Sequence, residues 1–227
     1  MSHAAPRPAT FRDVTPAQWK TLIAAMAGWM FDSMDFMIYV MAIGRLQKYF
    51  GFDAAQAGLL ATVTLVTAAA GGLIFGVVAD KIGRVRALSL TILIYSACSV
   101  GAALSQSIWQ LAFWRALLGF GMGGEWAAGA VLVSETWPAE LRNKATSLMQ
   151  STWALGAILA ALLAGLFFDV LPLGDNAWRW LFAIGGLPSL FIWWLQHRVE
   201  EPAVWKANRD AGKLTGNPYT VLFGPEL

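Results

Sequence analysis

Long stretches without any charged residue constrain this sequence more than any other feature. Residues 57–79, 87–108 and 145–168 contain no Asp, Glu, Lys or Arg. A helix of about 20 residues covers about 30 Å, the thickness of the hydrocarbon core of a bilayer. Lipid offers no partners for free backbone groups, and the apolar–polar alternation of membrane strands is absent. These stretches therefore predict transmembrane helices.

The composition supports a membrane protein. Of 227 residues, 57% are hydrophobic and 13% are charged, about half the charged share of a soluble domain. Basic residues are scattered, which gives no indication of nucleic-acid binding. The single cysteine, Cys98, excludes an intramolecular disulfide, and His3 and His197 lie far apart in sequence. We therefore expect no metal site.

Six membrane spans are predicted, at about residues 20–44, 57–79, 87–108, 109–134, 145–168 and 180–196. The basic residues fix their orientation, because cytoplasmic loops carry an excess of Lys and Arg. With a cytoplasmic N-terminus, the opposite side holds only Arg45, Lys48 and Arg179. The cytoplasmic side then holds twelve basic residues: Arg7, Arg12, Lys20, Lys81, Arg84, Arg86, Arg142, Lys144, Arg198, Lys206, Arg209 and Lys213. Both termini are therefore expected in the cytoplasm.

Two aspartates lie inside the first predicted span. Asp32 and Asp35 are three residues apart and share one face of a helix. An aspartate at the centre of a membrane helix costs about 2.5–3.5 kcal/mol on insertion scales, and such residues usually mark ion or proton pathways. The alternative is a structural carboxylate that a neighbouring helix satisfies.

The fourth predicted span carries Arg115 and Glu125. An arginine inside a membrane needs an anionic partner, which is either an aspartate of the first span, an anionic substrate, or both in turn. Glu125 either titrates during function or serves as a hydrogen-bonded packing residue. The glycines that follow Arg115 allow another helix to approach closely.

A short charged turn follows the second span. Gly76, Asp80, Gly83, Arg84 and Arg86 lie around it. Glycine permits a tight reversal between antiparallel helices. The charges could lock or release neighbouring helices, and the alternative is an ordinary basic cytoplasmic loop.

These segments together carry a resemblance to a known family. GVVADKIGRVR at 76–86 resembles the loop signature of the major facilitator superfamily, with Val85 where a second basic residue is common. RALLGFGMGG at 115–124 resembles its fourth-helix motif, and PAELRNKA at 138–145 and EEPAVW at 200–205 resemble later family segments. DSMDF at 32–36 and GGEW at 123–126 are most similar to the sialate/lactate and aromatic-acid proton symporters of that family.

The resemblance implies an all-α membrane protein. Its six transmembrane helices would form a 3+3 inverted repeat, half of a twelve-helix fold with substrate bound between the halves. We then expect a cytoplasmic segment at 1–19, a six-helix half-domain at 20–196 and a central-loop segment at 197–227 that ends early. A truncated gene, a deliberately shortened chain and a half-protein that pairs with another chain are all open explanations.

The resemblance also implies roles for individual residues. The expected proton-coupling residues are Asp32, Asp35 and Glu125. The expected substrate-binding residues are Arg115, Tyr39 and Gln150. The expected cytoplasmic gate consists of Gly76, Asp80, Lys81, Gly83, Arg84 and Arg86. Spans one and four would line a central cavity, and the gate would contact the other half.

The expected function is secondary active transport and not enzymatic catalysis. The chain is expected to belong to a proton-coupled symporter of a small organic anion (a monocarboxylate, sialate or aromatic acid) in the inner membrane. No cofactor is expected besides the coupling proton. The expected partners are the lipid bilayer, the organic anion and a missing C-terminal half or second chain. The alternatives are an inactive or scaffolding half-transporter and a sugar/proton symporter of the same family.

Overall fold

Alpha-helices account for nearly all the regular structure in residues 10–212, the part of the chain that the computed structural model describes. Short 3₁₀ helices cover Phe11–Asp13 and Gly174–Asn176, and a π-helical turn covers Leu166–Val170. The α-helices are α1 (Pro16–Phe50), α2 (Ala54–Ile82), α3 (Arg84–Ala103), α4 (Ile108–Thr136), α5 (Ala139–Gly165), α6 (Ala177–Ile184), α7 (Pro188–Arg198) and α8 (Ala203–Asp210). Of the expected cytoplasmic segments at 1–19 and 197–227, residues 1–9 and 213–227 lie outside the described residues.

The long helices begin at residues that favour helix starts. Thr15 accepts a hydrogen bond from the backbone N–H of Gln18, and Pro16 occupies the first turn of α1. Asp53 caps α2 in the same way. The connections are short, and a single residue, Gly83, separates α2 from α3. The helices α1 to α5 therefore run antiparallel to one another in turn along the chain.

Five helices, α1 to α5, are long and apolar enough to cross a bilayer, which confirms the first five predicted spans. A continuous sixth span at 180–196 is not confirmed. The chain instead forms α6 and α7, which are separated at 185–187. Gly185 and Gly186 weaken the helix, and Pro188 has no N–H to continue it and starts α7 instead.

The helices form two layers. In the front layer α2 packs against α4, α4 against α1, and α1 against α5. In the back layer α3 packs against α4 and also contacts α6 and α7. We call the outer surface of the first layer the front face. One end of the bundle holds the turns around residues 83 and 137 and the start of α1. We call it the basic end, because most of the basic residues near helix ends lie there.

Glycines permit the closest contact in the front layer, between α2 and α4. A Cβ atom on Gly123 would overlap the backbone of Ala68, and one on Gly119 would overlap the backbone of Thr64. From the other helix, a Cβ on Gly71 would overlap the backbone of Phe120. Small residues allow such close approach between membrane helices. The position of α4, and of the charged residues on it, depends on this contact.

We expect Gly123→Ala to lower the free energy of unfolding by about 1–3 kcal/mol, because the new methyl group forces the two helix backbones apart. Gly44→Ala is the matched control, since a Cβ there meets no atom within 4 Å. That control is expected to be neutral or to stabilise the helix by up to about 1 kcal/mol. Thermal unfolding of both variants in detergent measures the difference. Equal unfolding temperatures would contradict the proposed contact.

Candidate functional site

Arg115 on α4 is completely buried, at 0% exposure. Its Nη1 atom lies 3.7 Å from Oδ2 of Asp35 on α1, which is too long for a hydrogen bond. None of its three side-chain nitrogens has a hydrogen-bond partner in residues 10–212. Its guanidinium carbon lies 4.5 Å from the centre of the Tyr39 ring. The site therefore holds a buried cation with unused donors beside a buried carboxylate.

The other oxygen of Asp35 contacts the back layer. The hydroxyl of Ser99 on α3 lies 2.5 Å from Oδ1 of Asp35 and 3.0 Å from the carbonyl oxygen of Phe182 on α6. Gly185, where α6 ends, has no room for a Cβ because Ser99 and Asp35 fill that space. The break in the sixth helix thus lies directly against the buried carboxylate.

A second pair of carboxyl groups lies closer to the basic end than Asp35 and Arg115 do. Asp32 and Glu125 are both 1% exposed, and their carboxyl groups face each other at hydrogen-bonding range. Neither Asp32 oxygen has a donor among the described residues. Glu125 fills the space beside Gly28, where a Cβ would overlap it. Two carboxyl groups so close together repel unless one carries a proton.

Tyr39 and Gln150 occupy different surroundings. Tyr39 is buried, and its hydroxyl donates to the carbonyl oxygen of Ala57 at 2.9 Å. Its hydroxyl is therefore already bonded to α2, while its ring packs against the Arg115 guanidinium. Gln150 is exposed on α5, one turn before Trp153. The structure groups Tyr39 with Arg115 and leaves Gln150 apart from them.

The charged residues lie between the two layers and not on the front face. Asp35 is in contact with Ser99 from the back layer, and Arg115 reaches the same place from α4. Spans one and four were expected to line a central cavity with these residues. In the described arrangement their charged side chains are enclosed within the helix bundle itself, and other side chains of the two helices face outward.

Aromatic residues occupy the middle of the front face. We call Trp29, Phe36, Trp126 and Trp153 the front aromatic group. The Trp29 ring lies 5.0 Å from Trp153 and 6.5 Å from Trp126, and Phe36 lies 6.1 Å from Trp153. Trp126 also borders a groove of about 570 Å³ that extends along α2, α4 and α5 to Asp80 and Arg84. Sequence reasoning treated the tryptophans singly and missed this group.

A charge network at the basic end surrounds the α2–α3 turn. Arg84 makes two hydrogen bonds to Glu135 at the end of α4, at 2.8 and 3.1 Å, and one to Asp80 at 2.6 Å. Such a two-pronged contact to a carboxylate is specific to arginine. Asp80 and Arg84 were expected to contact another half. In the structure they tie α2, α3 and α4 together within this one.

The segment after α7 joins the same network. The Glu201 carboxylate accepts hydrogen bonds from the backbone N–H groups of Arg84, Val85 and Arg86, at 2.6 to 3.2 Å. The Trp205 indole of α8 donates to the carbonyl oxygen of Asp80 at 2.7 Å. A carboxylate at a helix N-terminus is favourable, since the free N–H groups point at it. The resemblance of EEPAVW at 200–205 to a family segment pointed to Glu201 and Trp205. It did not indicate that these residues bond to the α2–α3 turn.

The other expected gate residues surround this network. Gly83 has a φ of 110°, a conformation that favours glycine, and Glu201 fills the space a side chain would need. Gly76 borders the groove below Trp126. Lys81 and Arg86 are exposed. The expected gate thus consists of two bonded side chains, two glycines and two exposed cations.

Comparison with known proteins identifies the family. The model of the Major Facilitator Superfamily matches residues 25–226. The chain belongs to the Major Facilitator Superfamily. Five of its described helices are long and apolar enough to cross a membrane, and the curated relatives that it matches are transport proteins.

Several curated members of the superfamily resemble the chain. It is 32% identical to the sialic acid transporter NanX of Escherichia coli over 91% of this chain and 50% of NanX. It is 31% identical to the cis,cis-muconate transport protein of Acinetobacter baylyi, over 90% of this chain and 49% of that protein. For the benzoate transport protein of the same species the identity is 31%, over 79% and 38% of the two chains. The chain spans about half the length of the curated relatives it matches.

Solved structures share the fold. The xylose transporter XylE of Escherichia coli, in an inward open conformation, aligns with a TM-score of 0.75 over 92% of this chain and 57% of its own, at 18% identity. The described helices therefore adopt half of a Major Facilitator Superfamily fold.

We expect Glu201→Ala to release the first turn of α3, because three backbone N–H groups lose their acceptor. An unmet donor costs about 1–3 kcal/mol where it stays buried. Hydrogen exchange of the Arg84–Arg86 amides is expected to accelerate by about tenfold or more. Glu200→Ala is the matched control, since Glu200 is exposed and contacts Lys206 at 3.4 Å. Similar exchange in both variants would contradict the capping role of Glu201.

Proposed function

We propose that this chain forms one half of a proton-coupled symporter of small organic anions that works by alternating access. The observation that carries the proposal is the Arg115 guanidinium, fully buried with its donors unused and 3.7 Å from Asp35. A buried ion pair is stabilising only when its geometry is excellent and its other atoms are satisfied. This pair meets neither condition, which suits groups that change partners during a cycle.

The first step of the proposed cycle is protonation of Asp35. The ionised carboxylate attracts Arg115, and the neutral acid does not. Protonation therefore frees the guanidinium to bind a carboxylate of the substrate. Arginine suits this exchange because its planar fork pairs equally well with an aspartate or with a substrate carboxylate.

The Asp32–Glu125 pair provides a second place for a proton. Asp32 lies one helical turn from Asp35, so a proton held between Asp32 and Glu125 is close to the first site. We propose that the two sites pass the proton across the middle of the membrane. Ionisable residues inside membrane proteins serve as such relays.

Coupling requires that proton and substrate favour the same conformation, because a ligand with equal affinity for two states shifts neither. In this proposal the site that holds both the proton and the anion favours the conformation that opens toward the basic end. Loss of the proton there restores the Asp35–Arg115 attraction and expels the anion. The Arg84–Glu135–Asp80 network lies at that end and would strengthen or loosen as the helices tilt.

We further propose that transport requires a second six-helix half, in the same polypeptide or in another chain. The two halves of this fold are related by an axis along the membrane normal, and the substrate binds between them. The excess of basic residues at the basic end supports a cytoplasmic location for that end and an inner-membrane orientation with both termini inside.

We expect Asp35→Asn and Asp32→Asn, each made in the complete protein, to abolish uptake driven by a pH gradient. The amide cannot release a proton, so the gradient no longer performs work on the substrate. Asp169→Asn is the matched control, because its side chain is 77% exposed. Accumulation of labelled organic acid in vesicles with an imposed pH gradient gives the measurement. Normal accumulation in both buried variants would remove the proton role.

Arg115→Ala is expected to raise the KM for an organic anion by about 10–100-fold, since a hydrogen bond to a charged group contributes about 1.5–3 kcal/mol and 1.4 kcal/mol is tenfold. Arg179→Ala serves as the comparison, as this arginine binds the carbonyl oxygen of Ala103 near the opposite end. An unchanged KM in Arg115→Ala would show that the anion binds elsewhere.

A further inference from the structure

The front aromatic group points away from the back layer. Phe31 on α1 contacts Phe191 on α7, with ring centres 6.0 Å apart. Trp29 precedes Phe31 by two residues, which is about 200° around a helix. Phe36 follows Trp29 by seven residues and so returns to the same face. Both rings therefore belong to the front face, where Trp126 is 49% exposed.

The group is held in place by a rigid contact between α1 and α5. The Ser33 hydroxyl donates to the carbonyl oxygen of Trp153 at 2.6 Å, and the Thr152 hydroxyl lies 3.0 Å from the carbonyl oxygen of Met26. Gly156 packs directly on the backbone of Met30. These contacts fix the backbone from which the aromatic side chains project.

The arrangement of the rings leaves aromatic surface unused. Trp29 and Trp153 are tilted at 47°, and Phe36 and Trp153 at 45°, so the described rings do not stack on each other. The Trp29 indole nitrogen is buried and has no hydrogen-bond partner in the described part of the chain. Indole N–H is a donor only. The faces of these tilted rings remain available to a flat ring of a ligand.

We propose that the front aromatic group binds the planar, unsaturated part of an aromatic carboxylate through contacts between rings. This inference rests on the proposed function and narrows its substrate class. Aromatic rings prefer tilted or offset contacts with other rings, which contribute about 0.5–1.5 kcal/mol each beyond apolar burial. Saturated acids of the same charge gain only the apolar burial.

The carboxyl pair behind the group links this site to the proton. Gly28 is next to Trp29, and its surface contacts the Glu125 carboxyl group. An anionic substrate at Trp29 therefore lies close to Asp32 and Glu125 and is repelled unless that pair holds a proton. Binding of the aromatic anion and protonation of the Asp32–Glu125 pair therefore favour each other.

The test compares benzoate with cyclohexanecarboxylate, which has the same charge and nearly the same size but no aromatic ring. The complete protein is purified, and equilibrium binding of labelled benzoate is measured with either acid as competitor. We expect the wild type to prefer benzoate by about tenfold, the factor that one or two ring contacts provide. Trp153→Leu is expected to reduce the preference to below about threefold, and Trp153→Phe to retain most of it.

Trp109→Leu is the matched control, because Trp109 lies at the far end of α4 and is 81% exposed; its preference should equal that of the wild type. Equal affinity for the two acids in the wild type would overturn the inference. Proton-driven accumulation of lactate or sialic acid without benzoate binding would also overturn it while the proposed function stands. Benzoate binding with ring preference, but without proton-driven accumulation of any acid, would refute the symport and support the aromatic site.

A different observation supports a second inference, which concerns Ser99. Its hydroxyl has one hydrogen and two acceptors in range, Oδ1 of Asp35 and the carbonyl oxygen of Phe182. When Asp35 is ionised, the hydroxyl must donate to the carboxylate. When Asp35 carries a proton, Asp35 donates to Ser99 and the hydroxyl is free to donate to Phe182.

We infer that Ser99 is a positioning residue that transmits the protonation of Asp35 to the end of α6. Arg115 faces Asp35 from α4, Asp32 lies on the same helix, and Cys98 and Tyr95 lie nearby on α3. From α6 and the turn after it, the contacts are the carbonyl group of Phe182 and Gly185. The hydrogen bond to α6 therefore forms or breaks with the proton, at the point where the sixth helix is interrupted.

This second inference also rests on the proposed proton symport. We expect Ser99→Ala to lower pH-driven accumulation about fivefold more than substrate exchange at equal pH, since a hydrogen bond of about 1 kcal/mol is lost in only one state. Ser99→Thr keeps the hydroxyl and should restore accumulation. Ser96→Ala is the matched control, as Ser96 is equally buried on the same helix.

Equal losses of accumulation and exchange in Ser99→Ala would overturn the role of Ser99, because a merely structural defect affects both. Wild-type accumulation in Ser99→Ala would overturn it as well. Retained accumulation in Asp35→Asn refutes the proton site itself, and that outcome is separate from the behaviour of Ser99.

Discussion

The attraction between Arg115 and Asp35 determines how the rest of this half must be built. A guanidinium and a carboxylate in a membrane need an enclosure that excludes lipid, and here four helices supply it. Because the two groups are too far apart for a hydrogen bond, the enclosure holds them without locking them together. A tighter bond would stabilise one state and make the exchange of partners slow.

The two layers separate two kinds of chemistry. Charged groups lie between the layers, and aromatic rings lie on the front face of the same helices. Helices α1 and α4 contribute residues to both, and the glycines between α2 and α4 allow close packing of this layer. In the proposed mechanism, protonation between the layers therefore affects a ligand on the front face across a single layer of helices.

The sequence predicted the first five spans and the charged residues inside them, because long apolar stretches and isolated charges are local signals. It did not predict that Ser99 meets Asp35 or that Glu201 caps α3, since these contacts join residues 64 and 116 positions apart. The interruption at Gly185 was missed although Gly-Gly-Leu-Pro is a breaking signal; the strong hydrophobicity of the segment outweighed it. The front aromatic group depends on the packing of three helices and has no signature within any one of them.

The docking of α8 has a consequence for assembly. Glu201 and Trp205 attach this helix at two points to the α2–α3 turn, so the polypeptide that continues from α8 starts from a fixed anchor at the basic end. A tether with one end fixed confines whatever it carries to a small volume and raises its effective concentration near that anchor. Any segment joined through α8 would therefore meet this bundle by an intramolecular encounter and not by free diffusion in the membrane.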